Sequence, residues 1–446
     1  MHAIKTEFPS LASSPVSIVT TPPGPRARAA IAKAKPYLSP SLIHCYPLYV
    51  ERAAGCMVQD VDGNIYLDCE AGIATTSTGH CHPHVAEAMK TQVDRLIHIC
   101  GTDFHYPGYG ALCQKLAQLA PGGGDWQVFL SNSGTEGVEA AIKLARYATG
   151  RPQLISFRRA FHGRSTGSLA LTASKPKYKK GFGPLIPGVS HAEFGNLDSI
   201  TKDLFGHTVP PSEVAAIFVE PVQGEGGYVV PEREFLVGLR RLCDEHGILL
   251  VFDEVQSGMG RTGKMFAAEH FGVVPDIMVL AKGIASGMPL GAMMAKRSIM
   301  TWPPGTHGST CAGNPVAIAA ALATIELLEG GLVANSAEVG DYLKAKLTAG
   351  LVGQTHGVID VRGLGLMIGV ELETPEQSAD VANLCFQRGL LVLECGKKAI
   401  RFAPPLILTR EQADVAATMF IQACADVARG VKPQPPIEAE GHEEGI

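Results

Sequence analysis

Nothing in the chain approaches the roughly 20 consecutive apolar residues that a membrane helix needs, so a spanning protein is not expected. A long basic stretch is also missing. The 446 residues carry a net charge of −5, the wrong balance for a nucleic-acid binder. The densest cationic run, residues 175–180, reads as a solvated loop. The 11 cysteines lack any framework spacing and are odd in number. The first 20 residues lack a charged start followed by an apolar core. Reduced thiols in a cytoplasmic protein are the expectation. What remains is an ordinary globular balance, 46% hydrophobic and 18% charged, with length enough for a large core and more than one domain.

Residues 1–40 are rich in proline and serine and read as an arm lying over a surface. A hairpin is predicted over 58–68, two alternating runs joined at Asp62-Gly63-Asn64. From about 76 to 324, strand-like runs alternate with helical patterns. The clearest strands are 128–130, 154–157, 216–219 and 248–252, and the clearest helices 134–147, 232–245 and 315–328. This alternation predicts an α/β fold with a mostly parallel, doubly wound sheet. Past 330 the pattern becomes helix, strand–turn–strand and helix. The expected division is an arm (1–40), the N-terminal part of a small α+β domain (41–75), a large domain (76–324), the C-terminal part of the small domain (325–430) and a frayed tail (431–446).

Lys282 closes the apolar run 277–280, and Asp253 closes another at 248–252. A lysine and an aspartate at the ends of two buried-looking strands form the arrangement a pyridoxal phosphate enzyme needs. The amine condenses with the cofactor's aldehyde. The carboxylate keeps a proton on the pyridine nitrogen, so the ring draws electrons from the substrate carbon. Ser133, Gly134 and Thr135 open a helix after a strand and offer a phosphate free N–H groups, a close approach and a hydroxyl. An ordinary helix cap would use the same residues. Phe161 can stack on a flat ring, with His162 beside it as a hydrogen-bonding residue, and Arg164 can grip a carboxylate through two hydrogen bonds. Glu220 ends a strand ahead of a glycine-rich loop, where α/β sheets bind ligands. Val255 suits the second ring face and Gln256 the ring hydroxyl. Thr310 is a second phosphate candidate at a helix start, and Arg401 lies in an apolar frame that asks for an anionic partner. Two patterns are decoys. In 79–84 the histidines and cysteine alternate sides and lack a second ligand group at finger spacing, so no metal is expected. In 363–369 the glycines have the wrong spacing for a dinucleotide site.

Together these segments resemble the class III, fold type I pyridoxal phosphate aminotransferases, with the 4-aminobutyrate branch the nearest pattern, over about residues 45–428. The resemblance implies that Lys282 carries the cofactor and moves the proton, and that Asp253 pairs with the ring nitrogen. It places Gln256 near the ring hydroxyl, Gly134 and Thr135 on the phosphate, and Phe161 on the ring. Thr310 matches a phosphate ligand given to a partner subunit, which implies a homodimer with shared sites. Arg164 then binds the distal carboxylate of an ω-amino acid, Arg401 binds the α-carboxylate of 2-oxoglutarate or glutamate, and Glu220 covers Arg401 while the ω-amino acid is bound. Ile73 belongs to an entrance segment, Gly72-Ile73-Ala74. The following Thr75-Thr76-Ser77 departs from the more apolar sequence usual there. Arg164 leaves the donor open, because acetylornithine-type relatives share its surroundings. The implied reaction is ping-pong transfer from a small amino donor to an oxo-acid acceptor. An amino-acid racemase or epimerase on the same scaffold uses the same lysine, aspartate and phosphate residues.

Overall fold

The computed structural model describes residues 8–123 and 125–434, so most of the expected frayed tail, 435–446, lies outside the described residues. Among the described residues the strands form three sheets. Strands β1 (Val50–Ala54), β2 (Met57–Asp60) and β3 (Ile65–Asp68) make an antiparallel meander. Asp60 builds its second turn: Oδ1 accepts from the N–H groups of Asp62 (2.9 Å) and Asn64 (2.8 Å), which is how an Asp-Gly-Asn tract reverses the chain.

The large sheet contains β4 (Trp126–Ser131), β5 (Gln153–Phe157), β6 (Val189–Ala192), β7 (Val214–Val219), β8 (Leu249–Asp253), β9 (Ile277–Leu280) and β10 (Gly291–Lys296). Its order is β4-β10-β9-β8-β7-β5-β6. β10 runs antiparallel to both neighbours, and the other pairings are parallel. In β8, Leu250 and Phe252 join one apolar layer and Val251 the other, as alternation across a covered sheet requires. The expected α/β doubly wound arrangement is present, with one strand reversed.

Farther on, β11 (Val358–Leu364) and β12 (Met367–Leu372) form a hairpin. β13 (Leu390–Leu391) pairs in parallel with β3, which ties a C-terminal segment to the N-terminal meander. β14 (Leu393–Cys395) and β15 (Ala399–Phe402) complete the third sheet, β11-β12-β15-β14. Gly365 turns the hairpin at a φ of 52°, and a Cβ there would fall 2.4 Å from the Thr262 backbone. The hairpin therefore seats on the loop that follows Asp253.

Among the described residues one helical run, Pro315–Leu351, is long and apolar enough to cross a membrane by length and composition. The helix expected over 315–328 is its beginning, and the expectation that no apolar stretch approaches membrane length did not foresee the whole run. Its first part, Pro315–Leu327, is apolar nearly all round because it packs between helices Pro83–Val93 and Pro107–Leu119 and against the turn after Lys282. Enclosure of this kind makes a core helix.

Candidate active site

The parallel strands of the large sheet all point their C-terminal ends at one side, where α/β sheets bind ligands. A cavity of about 420 Å³ opens there. Residues following five strands line it: Ser133, Gly134 and Thr135 after β4, Phe161, His162 and Arg164 after β5, Glu220 after β7, Asp253, Val255 and Gln256 at and after β8, and Lys282 after β9.

Lys282 is half-buried and adopts a φ of 45° at the start of the turn Lys282–Ala285. This left-handed conformation costs an L-residue about 1–2 kcal/mol. Ser77 helps hold the turn by donating from Oγ to Gly283 O at 2.8 Å. The polar Thr75-Thr76-Ser77 tract thus has a purpose, since Thr75 also lines the cavity. Burial, and then the Arg401 guanidinium, push the Lys282 amine down to about 8, against the opposing charges of Glu225, Asp253 and Glu220. Near neutral pH a useful fraction is the free amine that a nucleophile requires.

Asp253 Oδ2 accepts from His162 Nδ1 at 2.7 Å, and its Oδ1 accepts from Val255 N–H at 3.1 Å. Burial alone would lower the His162 pKa. The hydrogen bond and charge of Asp253, with Glu220, more than reverse that and raise it. The result is a carboxylate fixed in orientation inside an apolar wall.

The helix Gly134–Thr149 begins at the cavity, with Ser133 Oγ accepting from Glu136 N–H at 3.4 Å. A Cβ on Gly134 would lie 2.9 Å from the Val255 side chain, so only glycine brings the helix start this close to the Asp253 loop. Thr135 Oγ1 shares a 2.6 Å hydrogen bond with Ser168 Oγ. Sequence reasoning missed Asn132, which also lines the cavity and donates from N–H and Nδ2 to Glu136 Oε2 at 2.9 Å. Its signal was an Asn four residues before an acid across a helix start.

Arg164 lies exposed at the cavity, its guanidinium 4.8 Å from the Tyr178 ring centre and 5.9 Å from that of Phe161. Among the described residues it has no carboxylate partner. Tyr178 belongs to the cationic run 175–180, and Lys179 Nζ donates to Ala170 O at 3.0 Å. The run is a solvated loop in part: Pro176, Lys177 and Lys180 are exposed, while Tyr178 and Lys179 are half-buried and held by these contacts.

Arg401, on β15, is 4% exposed and pairs through Nη1 with Glu225 Oε1 at 2.5 Å. Burial would raise the Glu225 carboxyl, but Arg401 holds it below its usual range. The expectation that Glu220 covers Arg401 is therefore corrected. Glu220 Oε2 accepts from Phe161 N–H and Oε1 from Gly224 N–H, both at 3.1 Å, and burial pushes its carboxyl up to about 7. Glu220 closes β7 and faces inward between two loops. Glu225 sits at the loop tip, where its carbonyl accepts from Gly396 N–H at 2.9 Å beside the turn into β15.

Two expected site residues are not brought into this chain's own cavity. Ile73 is 41% exposed, on a left-handed turn where Glu70 Oε1 accepts from Ile73 N–H at 2.8 Å. Thr310 is exposed on its loop and lines no part of the cavity. Two of the three histidines of 79–84 have carboxylate partners, His80 with Asp68 at 2.7 Å and His84 with Glu326 at 2.8 Å, while His82 Nδ1 accepts from His84 N–H at 3.2 Å.

The donor set fits pyridoxal 5′-phosphate. The helix start at Gly134 and Thr135 offers N–H groups to a phosphate, Asp253 supplies a buried carboxylate, and Lys282 supplies an amine of depressed basicity. Fold and site together define a fold type I pyridoxal phosphate enzyme. Residues 40–424 match the family model for class-III aminotransferases, and the chain belongs to that family. It is 42% identical to an acetylornithine aminotransferase of Archaeoglobus fulgidus, over 83% of this chain and 94% of that one. It is 37% identical to an alanine/serine racemase of Pyrococcus horikoshii, over 96% and 95% of the two chains. Among solved structures, the ornithine aminotransferase of Toxoplasma gondii matches with a TM-score of 0.85 and 31% identity, covering 91% of this chain and 96% of that one. A second structure of that enzyme holds PLP at its active site in partial occupancy. The protein is a pyridoxal-phosphate-dependent aminotransferase.

Proposed function

We propose that the amino donor is an ω-amino acid, a terminal amine with a carboxylate at its far end, and that 2-oxoglutarate is the acceptor, in a ping-pong cycle. The observation that carries this reading is the contrast between two arginines. Arg164 lies at the cavity with no carboxylate partner among the described residues, and Arg401 is masked by Glu225. A donor with one distal carboxylate needs only the first. A dicarboxylic acceptor needs both, and can displace Glu225 from Arg401 with its own α-carboxylate. The chemical class includes 4-aminobutyrate and, with a substituent beside the carboxylate, ornithine and N-acetylornithine, after which several relatives are named.

Bound pyridoxal phosphate supplies an aldehyde and an electron-withdrawing ring. The chain's own residues do the rest. Lys282 Nζ, once free, takes the proton from the donor carbon and hands it on, first as base and then as acid. Asp253, oriented by His162, favours a proton on the ring nitrogen. The helix start at Gly134 and Thr135 anchors the phosphate, and Phe161 covers one ring face.

Cofactor-loaded protein mixed with single donors reports the first half-reaction through its visible absorbance. 4-Aminobutyrate, ornithine or N-acetylornithine is expected to bleach the band faster than any α-amino acid without a terminal amine, and added 2-oxoglutarate then yields glutamate. Faster bleaching by such α-amino acids sinks the reading. A second reading, racemisation, is supported by the similarity to the alanine/serine racemase, which extends over 96% of this chain. Solvent deuterium incorporation with loss of optical purity in a single amino acid would establish it. A homodimer belongs to the same proposal, supported by exposed Thr310 and by exposed apolar residues such as Tyr37, Ile43 and Phe104. So does a cytoplasmic setting, supported by 11 free cysteines.

A further inference from the structure

Gln256 lines the cavity with an amide that has two chemically opposite ends. Its Oε1 accepts from Tyr228 O–H at 2.6 Å. Its Nε2 donates to no protein atom among the described residues. The reverse orientation would leave the Tyr228 proton buried without an acceptor, because Tyr228 is fully enclosed and Gln256 is its partner. An orphaned buried donor is the costlier arrangement. Tyr228 is itself tightly held. It adopts a φ of 52°. Gly227 O, before it, accepts from Arg362 Nη2 at 2.7 Å, and Val229, after it, exchanges two backbone hydrogen bonds with Gln223. Its ring packs with Val222, Met367 and Ala403.

We propose that Tyr228 is a positioning residue: its hydroxyl fixes the Gln256 amide so that the cavity receives N–H and not C=O. Toward a bound pyridoxal phosphate this presents a donor to the ring's phenolic oxygen and favours its anionic form. The same loop carries Glu225, so the element that masks Arg401 also sets the polarity beside the ring. This inference rests on cofactor binding and not on the choice of donor, and its readouts use no substrate.

The test compares Tyr228→Phe, Gln256→Ala and the double variant. Each is loaded with pyridoxal phosphate and its visible absorbance titrated from about pH 5 to 10, and each apo protein is melted. One net hydrogen bond corresponds to about half to one pH unit. Tyr228→Phe is therefore expected to raise the spectral midpoint by that amount and to weaken cofactor binding about two- to tenfold. The apo melting temperature is expected to move little. In the Gln256→Ala background, Tyr228→Phe is expected to add no further shift. An unmoved midpoint in Tyr228→Phe, or an equal shift with and without Gln256, overturns the proposal. If the Phe variant does not accumulate, Tyr228→Met removes the hydroxyl with similar bulk and is read the same way.

Discussion

The two ends of the cavity are built on different rules. At the ring end, Asp253 is clamped by His162 and Val255, Gln256 by Tyr228, and Lys282 by a strained turn resting on Ser77. At the other end, Arg401 is bonded to a carboxylate that can leave it, and Arg164 rests on aromatic faces. The first end is preorganised for one cofactor, as differential stabilisation of charge requires. The second keeps its cations in exchangeable partnerships, which suits a site that must accept two different acids in turn. The difference teaches that rigidity here follows the chemistry that never changes within the cycle.

The largest effect is expected from Lys282→Ala. Loss of the proton-transfer group should lower amino transfer by about four orders of magnitude, measured as single-turnover glutamate formation. Activity retained within tenfold would break the assignment of the ring end. Asp253→Asn should cost about 100- to 1000-fold in both half-reactions, because the ring serves donor and acceptor alike. Unequal losses would blur the distinction between the ends.

Arg401→Ala should raise the KM for 2-oxoglutarate by about 10- to 100-fold, the worth of a charge-assisted hydrogen bond, while the donor half-reaction keeps its KM. The Arg401 charge also helps depress Lys282 to about 8. The variant's amine should therefore titrate above that value, visible as an alkaline shift in the pH profile of the donor half-reaction. A KM change shared by both half-reactions would mean that the acceptor end is not separate.

The smallest effect concerns apo stability. Burial raises Glu220 from 4.5 to about 7, so the folded state holds this proton more tightly than the unfolded chain. Its contribution is complete below pH 4.5 and is lost as pH rises through about 7. Lys282, lowered from 10.5 to about 8, has the opposite sign: its contribution is complete above 10.5 and is lost as pH falls through 8. Glu220→Gln should flatten the melting curve between pH 5 and 7, and Lys282→Ala should flatten it above 8, as scanning calorimetry of the apo protein would show.

Much of this was readable in advance where chemistry coincides with a strand end. Lys282, Asp253 and Gly134 each follow an apolar run, and the sheet brings such ends together without further instruction. The hairpin over 58–68 was equally legible, since Asp60 and Asn64 act within a few residues. The roles of Glu220 and Glu225 were not. Five positions apart in one loop, they differ only in what the fold sets opposite them: a backbone N–H pair for one, β15 for the other. Tyr228 was silent for the same reason, because its partner Gln256 is 28 residues away.

The sequence by itself determined the periodicities that make the sheet and the residues that stand where its strands stop. These are local properties, decided by backbone geometry and by the removal of apolar side chains from water. Tertiary structure alone decided which carboxylate meets Arg401 and which end of the Gln256 amide faces the cavity. Such choices turn on distances of a few ångströms between segments remote in the chain, and no pattern within either segment encodes them.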